Sequence, residues 1–309
     1  MEIITNTANF YLDKETAVAL GKFDGIHIGH RRLLEEILEK KREGLCACVF
    51  TFDPAPAVLF GLSDGKELTT KEEKRMLFKR MGVDLLIEFP MNHQTAATPP
   101  EAFAREILAE RMQARFLAAG SDLSFGAGGA GNASLLKKLG SQLGFQVRII
   151  DKVYLEGKEI SSTYVRSCVE AGDMEQAEKL LGMPYPVMGT VVKGNQLGRT
   201  LGFPTLNLLP ESSKLLPPNG VYYSQVLCGE RKYQAISNVG YKPTVTEEKV
   251  MGIESYLYDF QEDAYGREIE VNLLKFRRPE QRFENVEALG RQLKEDIAAG
   301  ALYGNSKNK

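Results

Sequence analysis

The chain has 309 residues, of which 43% are hydrophobic and 26% charged, so it is long enough for two domains with separate hydrophobic cores. Its 39 basic and 41 acidic residues nearly balance, which argues against a general nucleic-acid-binding protein, because such a protein needs a basic surface. The four cysteines form no Cys-x-x-Cys pair, so neither a zinc site nor a disulfide framework is indicated. No apolar run approaches the roughly 20 residues that span a bilayer, and no signal-peptide pattern opens the sequence. We therefore expect a cytoplasmic protein without a membrane or nucleic-acid partner.

In the N-terminal half, predicted strands alternate with predicted helices. The strands cover residues 16–20, 45–52, 83–89, 115–119 and 145–150, and a helical pattern follows each of the first four. This alternation predicts a Rossmann-like α/β domain with a doubly wound parallel sheet and ligands at the carboxyl ends of its strands. We expect this domain to cover residues 1–183 and a proline-containing linker to lie at residues 183–186.

A glycine-rich segment connects the first of these strands to its helix, and it reads Gly21-Lys22-Phe23-Asp24-Gly25-Ile26-His27-Ile28-Gly29-His30. Free N–H groups and the positive end of the helix dipole make such a helix start a binding site for phosphate. A helix that begins near Ile26 would place His27 and His30 on one side of its first turn. Taken alone, a His-x-Gly-His segment also fits two histidines with purely structural roles.

Two further segments of this half combine glycines or hydroxyls with charged residues. Residues 120–132 are rich in glycine and contain Asp122; they fit either a flexible surface loop or a loop that a nucleotide approaches, with Asp122 available to a ribose or a base edge. Ser162, Thr163 and Arg166 stand at the start of another predicted helix. They fit either a simple helix cap or a grip on the β- and γ-phosphates of a nucleotide.

After residue 186 the sequence changes to short β-prone runs separated by turns. Strands are predicted at residues 187–192, 220–227, 232–239, 253–260 and 268–275, a spacing that indicates an antiparallel barrel or sandwich. A final helix carries Val286, Leu289, Leu293 and Ile297 on one face and would close the barrel. We expect this second domain to cover residues 184–309.

The second domain has its own glycine-rich segment, residues 189–207, which contains Gly194, Gly198, Arg199 and Gly202 but no Walker pattern. Thr205 and Asn207 are two residues apart, so their side chains share a face of an extended segment. A hydroxyl and a carboxamide oxygen suit Mg²⁺, although a capped turn after Pro204 fits equally well. Glu254 alternates with Tyr256 and Tyr258 and is either a buried structural partner or a general base.

The pattern Gly-x-Phe-Asp-Gly-x-His-x-Gly-His resembles the nucleotidyltransferase signature that class I aminoacyl-tRNA synthetases share with small-molecule adenylyltransferases. With residues 120–126, 160–166 and 189–207, nearly the whole chain resembles the bacterial bifunctional riboflavin kinase/FMN adenylyltransferases. The resemblance implies two ATP-dependent transferase reactions. Riboflavin becomes FMN in the C-terminal domain, and FMN becomes FAD in the N-terminal domain, which releases pyrophosphate. The implied small-molecule partners are riboflavin, FMN and ATP, and Mg²⁺ accompanies ATP.

The resemblance also implies roles for individual residues. His27 and His30 stabilise charge on the ATP α-phosphate, while Ser162, Thr163 and Arg166 hold the departing pyrophosphate. In the second domain Glu254 is the base that takes a proton from the ribityl hydroxyl, and Thr205 and Asn207 bind Mg²⁺ and ATP. The remaining nucleotide- or flavin-binding candidates are Gly21, Phe23, Asp24, Gly29, Asp122, Gly194, Gly198, Arg199, Gly202 and Arg278.

Three positions depart from the family pattern: Ala55, Leu123 and Ala264. Two rival interpretations follow. The protein is a riboflavin kinase whose adenylyltransferase domain is degenerate, or it is a flavin-binding sensor or carrier without turnover. The intact His27, His30 and Arg166 argue against the first rival. A carrier would need neither a Mg²⁺-binding pair nor a general base, which argues against the second.

Overall fold

A computed structural model describes residues 1–194, 198, 201–243 and 249–307 of the chain. These residues form two compact units, of which the first contains residues 1–66 and 71–162 and the second contains residues 67–70 and 163–309. No helix among the described residues is long and apolar enough to cross a membrane.

The first unit is built on a six-stranded parallel sheet. Its strands are β1 (Glu2–Thr5), β2 (Thr16–Leu20), β3 (Cys46–Asp53), β4 (Leu85–Pro90), β5 (Ala114–Gly120) and β8 (Gln146–Ile150). Two short antiparallel pairs lie outside this sheet. They are β6 (Ser124–Phe125) with β7 (Gly131–Asn132), and β9 (Tyr154–Leu155) with β10 (Lys158–Glu159). The sheet order is β1-β4-β3-β2-β5-β8. After β2, the strands β3 and β4 are added on one side of it, and β5 and β8 are added on the other side. The doubly wound prediction is confirmed, and the turn after β2 lies at the switch point where such folds bind ligands.

Helices connect the strands of the sheet. They are α1 (Ile28–Lys41), α2 (Pro56–Leu59), α3 (Lys71–Arg80), α4 (His93–Ala96), α5 (Pro100–Ala102), which continues as a π-helical segment over Phe103–Arg111, and α6 (Ala133–Leu143). Every residue of β2 is buried, and rings of Phe50, Phe89, Phe103 and Phe125 pack beside the sheet. The sequence prediction missed β1, whose Ile3 and Ile4 stand between polar neighbours.

The second unit contains a closed, six-stranded antiparallel barrel. Its elements are α7 (Ser162–Ala171, whose first residue is assigned to the first unit), α8 (Met174–Leu181), β11 (Tyr185–Val192), β12 (Leu206–Pro210), β13 (Gly220–Cys228), β14 (Arg231–Pro243), β15 (Lys249–Leu257), β16 (Glu268–Pro279) and α9 (Val286–Lys307). The strand order around the barrel is β11-β12-β15-β14-β13-β16. The predicted barrel and closing helix are therefore confirmed.

Several predicted boundaries in this unit need correction. The segment predicted as a strand over residues 253–260 is β15, which ends at Leu257, because the chain turns at Asp259 with a φ of 57°. The short strand β12 was not predicted. Part of the predicted linker is structured, since Tyr185 begins β11, is fully buried and donates a hydrogen bond to the Leu215 carbonyl. The division of the chain at residues 183/184 remains a prediction.

Residues 67–70 complete the second unit although they come from the N-terminal half of the sequence. The Glu67 N–H donates to the Ser213 carbonyl at 2.7 Å, and the Leu215 N–H donates to the Glu67 carbonyl at 2.8 Å. The buried Lys214 ammonium donates to the Leu68 carbonyl at 2.7 Å and lies 4.2 Å from the centre of the Tyr185 ring. A buried cation thus fixes this short segment to the barrel.

This arrangement predicts that Lys214→Met has different effects in the full chain and in a fragment of residues 163–309. The fragment lacks residues 67–70, so the Lys214 ammonium no longer donates to the Leu68 carbonyl, and hydrogen bonds to charged groups contribute about 1.5–3 kcal/mol. We expect the substitution to be more favourable in the fragment by about that amount, measured as the change in free energy of urea unfolding. Lys232→Met, at an exposed position, is the matched control, and an equal effect of Lys214→Met in both proteins would contradict the assignment.

Candidate active sites

His27 and His30 stack at the start of α1, directly after the glycine turn. Their ring centroids are 3.8 Å apart with an interplanar angle of 16°, which confirms the predicted shared side of the first turn. His27 is the N-cap residue of α1, and its Nδ1 accepts a hydrogen bond from the His30 backbone N–H at 3.3 Å. Because Nδ1 is an acceptor, the neutral His27 ring carries its proton on Nε2. The hydrogen position follows from this bonding pattern.

Burial strongly favours the neutral form of both histidines. Desolvation lowers the pKa of His27 to about 4, although the negative charge of Asp122 acts in the opposite direction. His30 is more deeply enclosed, and desolvation together with the neighbouring His27 lowers its pKa well below 6.5. Among the described residues, the buried Nδ1 of His30 has no hydrogen-bond partner. Two neutral rings, one with an unsatisfied nitrogen, therefore stand at the positive end of a helix dipole.

The turn before α1 is held in a strained conformation. Phe23 and Ile26 have φ values of 53° and 44°, which are unfavourable for side chains of this size. The fully buried Phe23 ring packs against His30 at 5.2 Å and against Phe78 at 5.4 Å. A Cβ at Gly29 would lie 3.1 Å from the His27 ring, so glycine leaves room for that ring. Gly21 similarly leaves room for the Phe23 ring.

The other predicted residues of this site have different relations to the turn. The Ser162 hydroxyl donates to the Asp24 carbonyl at 2.8 Å, which joins the start of α7 to the glycine turn. Asp122 is largely exposed, and its carboxylate lies 3.5 Å from Lys152 Nζ. Thr163 and Arg166 continue α7 but are assigned to the second unit. Their role beside the histidines remains a prediction.

In the second unit, a cavity of about 550 Å³ lies beside the barrel. Its apolar lining includes Phe203, Val221, Ile236 and Tyr256 from the barrel side and Leu289, Leu293 and Ile297 from α9. Its polar lining includes Thr205, Glu254, Asn238, Arg278, Glu280 and Asp296. An apolar cavity with a few convergent polar groups is the usual form of a small-molecule site.

Glu254 is the central polar group of a row that crosses three barrel strands. It pairs across the ladder with Asn207 on β12 and with Asn238 on β14, and directly opposed residues project their side chains to the same face. The Thr205 hydroxyl donates to Glu254 Oε1 at 2.6 Å. Thr205 and Glu254 line the cavity, so the hydroxyl orients the carboxylate there.

The oxygen atoms of this row suit a hard cation. The described residues contain no cluster of three or more His, Cys, Asp or Glu side chains placed to hold a metal ion. The Thr205 hydroxyl and the Asn207 carboxamide offer oxygen ligands of the kind that Mg²⁺ binds. A Cβ at Gly194 would lie 2.5 Å from Asn207 Nδ2, so the glycine lets the backbone approach that side chain closely.

The remaining candidates of the second unit are placed as follows. Gly198 lines the cavity, Gly202 has a φ of 84°, and Arg199 lies outside the described residues. Arg278 lines the cavity and forms an ion pair with Asp296 at 2.6 Å. Sequence reasoning did not select Asn238, Glu280 or Asp296. Asp296 left a signal, because it is a carboxylate seven residues after Leu289 in the apolar stripe of α9.

Comparison with known proteins finds two families, each of which matches one part of the chain. The family model described as FAD synthetase matches residues 11–164, and the one described as riboflavin kinase matches residues 181–302. The bifunctional riboflavin kinase/FMN adenylyltransferase of Escherichia coli (strain K12) is 36% identical over 294 residues, covering 94% of this chain and 93% of that protein. The protein of the same name from Bacillus subtilis (strain 168) is 32% identical over 321 residues and covers both chains completely.

A solved structure from Streptococcus pneumoniae, described as a macrolide-efflux protein, is also similar. It has a TM-score of 0.83 at 31% identity and covers 97% of this chain and 98% of that chain. The family models for a FAD synthetase and for a riboflavin kinase match successive parts of the chain, so the chain is a transferase. The chain belongs to the bifunctional riboflavin kinase/FMN adenylyltransferase family.

The lowered pKa of His27 can be tested by titration. An unperturbed histidine has a pKa of 6.5, and the folded value is about 4, so the unfolded chain binds more protons below pH 6.5. His27 therefore contributes stability above pH 6.5 that is lost as the pH falls toward 4. We expect NMR of the ligand-free protein, with His27→Asn used for assignment, to show titration near pH 4. Mg-ATP should raise this pKa, because a phosphate favours the imidazolium, and ligand-free titration near pH 6.5 would contradict the buried state.

Proposed function

We propose that this chain phosphorylates riboflavin to FMN in its barrel unit and adenylylates FMN to FAD in its parallel-sheet unit, with ATP as the donor in both reactions. The observation that carries this proposal is the presence of two chemically different sites. One is a pair of stacked, neutral histidines at a helix start, and the other is a carboxylate oriented by a hydroxyl at an apolar cavity. We further propose that residues 1–183 and 184–309 are the two functional domains.

In the kinase reaction, Glu254 acts as the general base. Its carboxylate takes the proton from the ribityl hydroxyl while that oxygen attacks the γ-phosphorus of ATP, whose bond to the β,γ-bridging oxygen breaks and releases ADP. The hydrogen bond from the Thr205 hydroxyl to Oε1, 2.6 Å long, fixes the orientation of this carboxylate at the cavity. The apolar wall of the cavity accepts the flavin ring, and Arg278 borders it. A volume of about 550 Å³ falls within the usual range for such ligands.

The phosphate side of the kinase site is formed by the glycine-rich segment. The ATP phosphates would bind along Gly194, Gly198, Arg199 and Gly202. Mg²⁺ would be held by Thr205 and Asn207. When bound, Mg²⁺ neutralises charge on the phosphates during transfer. The close approach of the Gly194 backbone to Asn207 supports a role for both residues in the same site.

In the adenylylation reaction, the first unit stabilises charge on the ATP α-phosphate as the FMN phosphate attacks it. The neutral His27 ring donates from Nε2, and His30 acts beside it. The positive end of the α1 dipole adds to the same field. Ser162, Thr163 and Arg166 bind the leaving pyrophosphate, and Asp122 lies near the nucleoside. Gly21, Phe23, Asp24 and Gly29 form the turn that fixes these donors.

The proposal predicts that two substitutions impair opposite reactions. His30→Ala removes a transition-state donor, so FAD formation from supplied FMN should fall by about 10²–10³-fold while riboflavin phosphorylation stays near normal. Glu254→Gln keeps the shape but removes the base, so phosphorylation should fall by about 10²–10⁴-fold while FAD formation from FMN stays near normal. Each substitution is the control for the other when the flavins are separated after single turnover.

Asn207→Ala provides a matched comparison for the metal assignment. It should weaken Mg-ATP affinity, with partial recovery in excess Mg²⁺, whereas Glu254→Gln should bind riboflavin and Mg-ATP much as the parent does. Normal phosphorylation by Glu254→Gln would leave Glu254 as a structural partner of Thr205. A parent protein that makes FMN but no FAD would favour the rival with a degenerate adenylyltransferase domain.

A further inference from the structure

Asp296 is a buried carboxylate within the otherwise apolar stripe of α9 that lines the cavity. It is 1% exposed and lies one residue before Ile297 and three residues after Leu293. A buried carboxylate is strongly unfavourable unless it is paired and hydrogen-bonded. Its presence in the wall of a substrate cavity therefore needs a specific explanation.

A β-bulge in β16 brings two arginines to this carboxylate. Val221 on β13 pairs with Arg278, and the next residue, Tyr222, pairs with Phe276, so Arg277 is an extra residue in the ladder. Neighbouring residues of a regular strand point to opposite faces, but a bulge re-aims a side chain. Both guanidinium groups consequently reach Asp296.

The contacts of Asp296 are directional. Arg278 donates from Nη2 to Oδ2 at 2.6 Å and from Nε to both carboxylate oxygens at 3.2 Å, and Arg277 donates from Nε to Oδ1 at 2.7 Å. Gln292 adds a bond to Oδ1 at 3.3 Å. Burial alone would raise the pKa of Asp296, but the hydrogen bonds from Arg278 and Arg277 lower it, so the group remains a carboxylate.

The two arginines then diverge. Arg278 lines the cavity, and its Nη1 also donates to the Pro279 carbonyl at 3.0 Å. Arg277 is absent from the cavity lining and donates from Nη1 to the Tyr223 hydroxyl at 2.9 Å, where the Tyr223 ring stacks on Tyr303 of α9 at 4.3 Å. One arginine thus faces the substrate cavity, and the other joins the barrel to the closing helix.

We propose that Asp296 is a positioning residue for riboflavin binding, which acts by fixing the Arg278 guanidinium in the cavity wall. This inference rests on the proposed kinase function. An arginine side chain has several rotatable bonds, and a ligand that must order it loses affinity. The buried carboxylate orders that side chain in advance and leaves one N–H on each terminal nitrogen for the polar groups of the flavin. Arg277 has no part in this contact.

A double-mutant cycle on riboflavin affinity tests the proposal in the full-length protein. Asp296→Asn and Arg278→Gln should each weaken binding by about 10-fold or more, as loss of a charge-assisted hydrogen bond does. The double variant should bind no more weakly than Arg278→Gln alone, because Asp296 acts through that arginine. The KM for riboflavin should rise while kcat changes little, and adenylylation of supplied FMN should be unaffected.

Arg277→Lys is the matched control, since it removes contacts with the same carboxylate from outside the cavity. It should change riboflavin affinity by less than about twofold, whereas Arg278→Lys should weaken it by about 10-fold, because lysine lacks the planar fork. Should Asp296→Asn fail to fold, this comparison decides, and equal effects of the two lysine variants would overturn the proposal. Additive losses in the cycle would also overturn it. A parent protein that binds riboflavin without phosphorylating it would refute the kinase function instead.

Discussion

The hydrogen bond from the His30 backbone N–H to His27 Nδ1 is the interaction on which the first site depends. It caps α1 with a ring instead of the usual short polar side chain, and it assigns the His27 proton to the opposite nitrogen. Stacking then places the second ring beside the first. The sheet topology supplies the position, because β2 ends at the switch point of the fold. Local hydrogen bonding therefore orients the two rings, and the sheet topology determines where in the fold they lie.

In the second unit, the corresponding constraint is the orientation of buried or half-buried carboxylates around an apolar cavity. Glu254 is held by Thr205, and Asp296 is held by two arginines. The helix α9 carries the apolar side of this cavity and is fixed to the barrel by further bonds, from Tyr258 to the Ile297 carbonyl and from Gln234 to the Gly300 carbonyl. The closing helix is thus part of the site as well as a cover for the barrel. The cavity exists because the polar bonds and the apolar face act together.

Much of the fold was predictable because its signals are local. The strand Thr16–Leu20 has the predicted bounds, and His27 with His30 was found because a helix start fixes which residues meet. The strand Leu206–Pro210 was missed because it is short and follows Pro204, and its ladder partners lie far along the chain. The predicted strand included Tyr258 because residues 253–260 are β-prone. The strand ends earlier because Asp259 has a left-handed backbone conformation.

For the candidate sites, the sequence predicted individual residues but not which of them lie close together in the second unit. Thr205, Asn207 and Glu254 were found as a spacing and an alternation, whereas their proximity required the barrel register. Asp296 could be noticed as a charge in an apolar stripe, but its partners depend on a bulge between β13 and β16. No sequence period encodes such an irregularity. Long-range register is therefore where sequence reasoning ended.

The central claim is that one chain transfers two different parts of ATP to one flavin. The most direct measurement incubates the protein with riboflavin, Mg²⁺ and ATP labelled in either the α- or the γ-phosphate, and then separates the flavins. The account predicts that γ-label appears in FMN and in FAD, that α-label appears in FAD alone, and that pyrophosphate forms in equal amount to FAD. Absence of α-label from every flavin, with γ-label present in FMN, would contradict the bifunctional account.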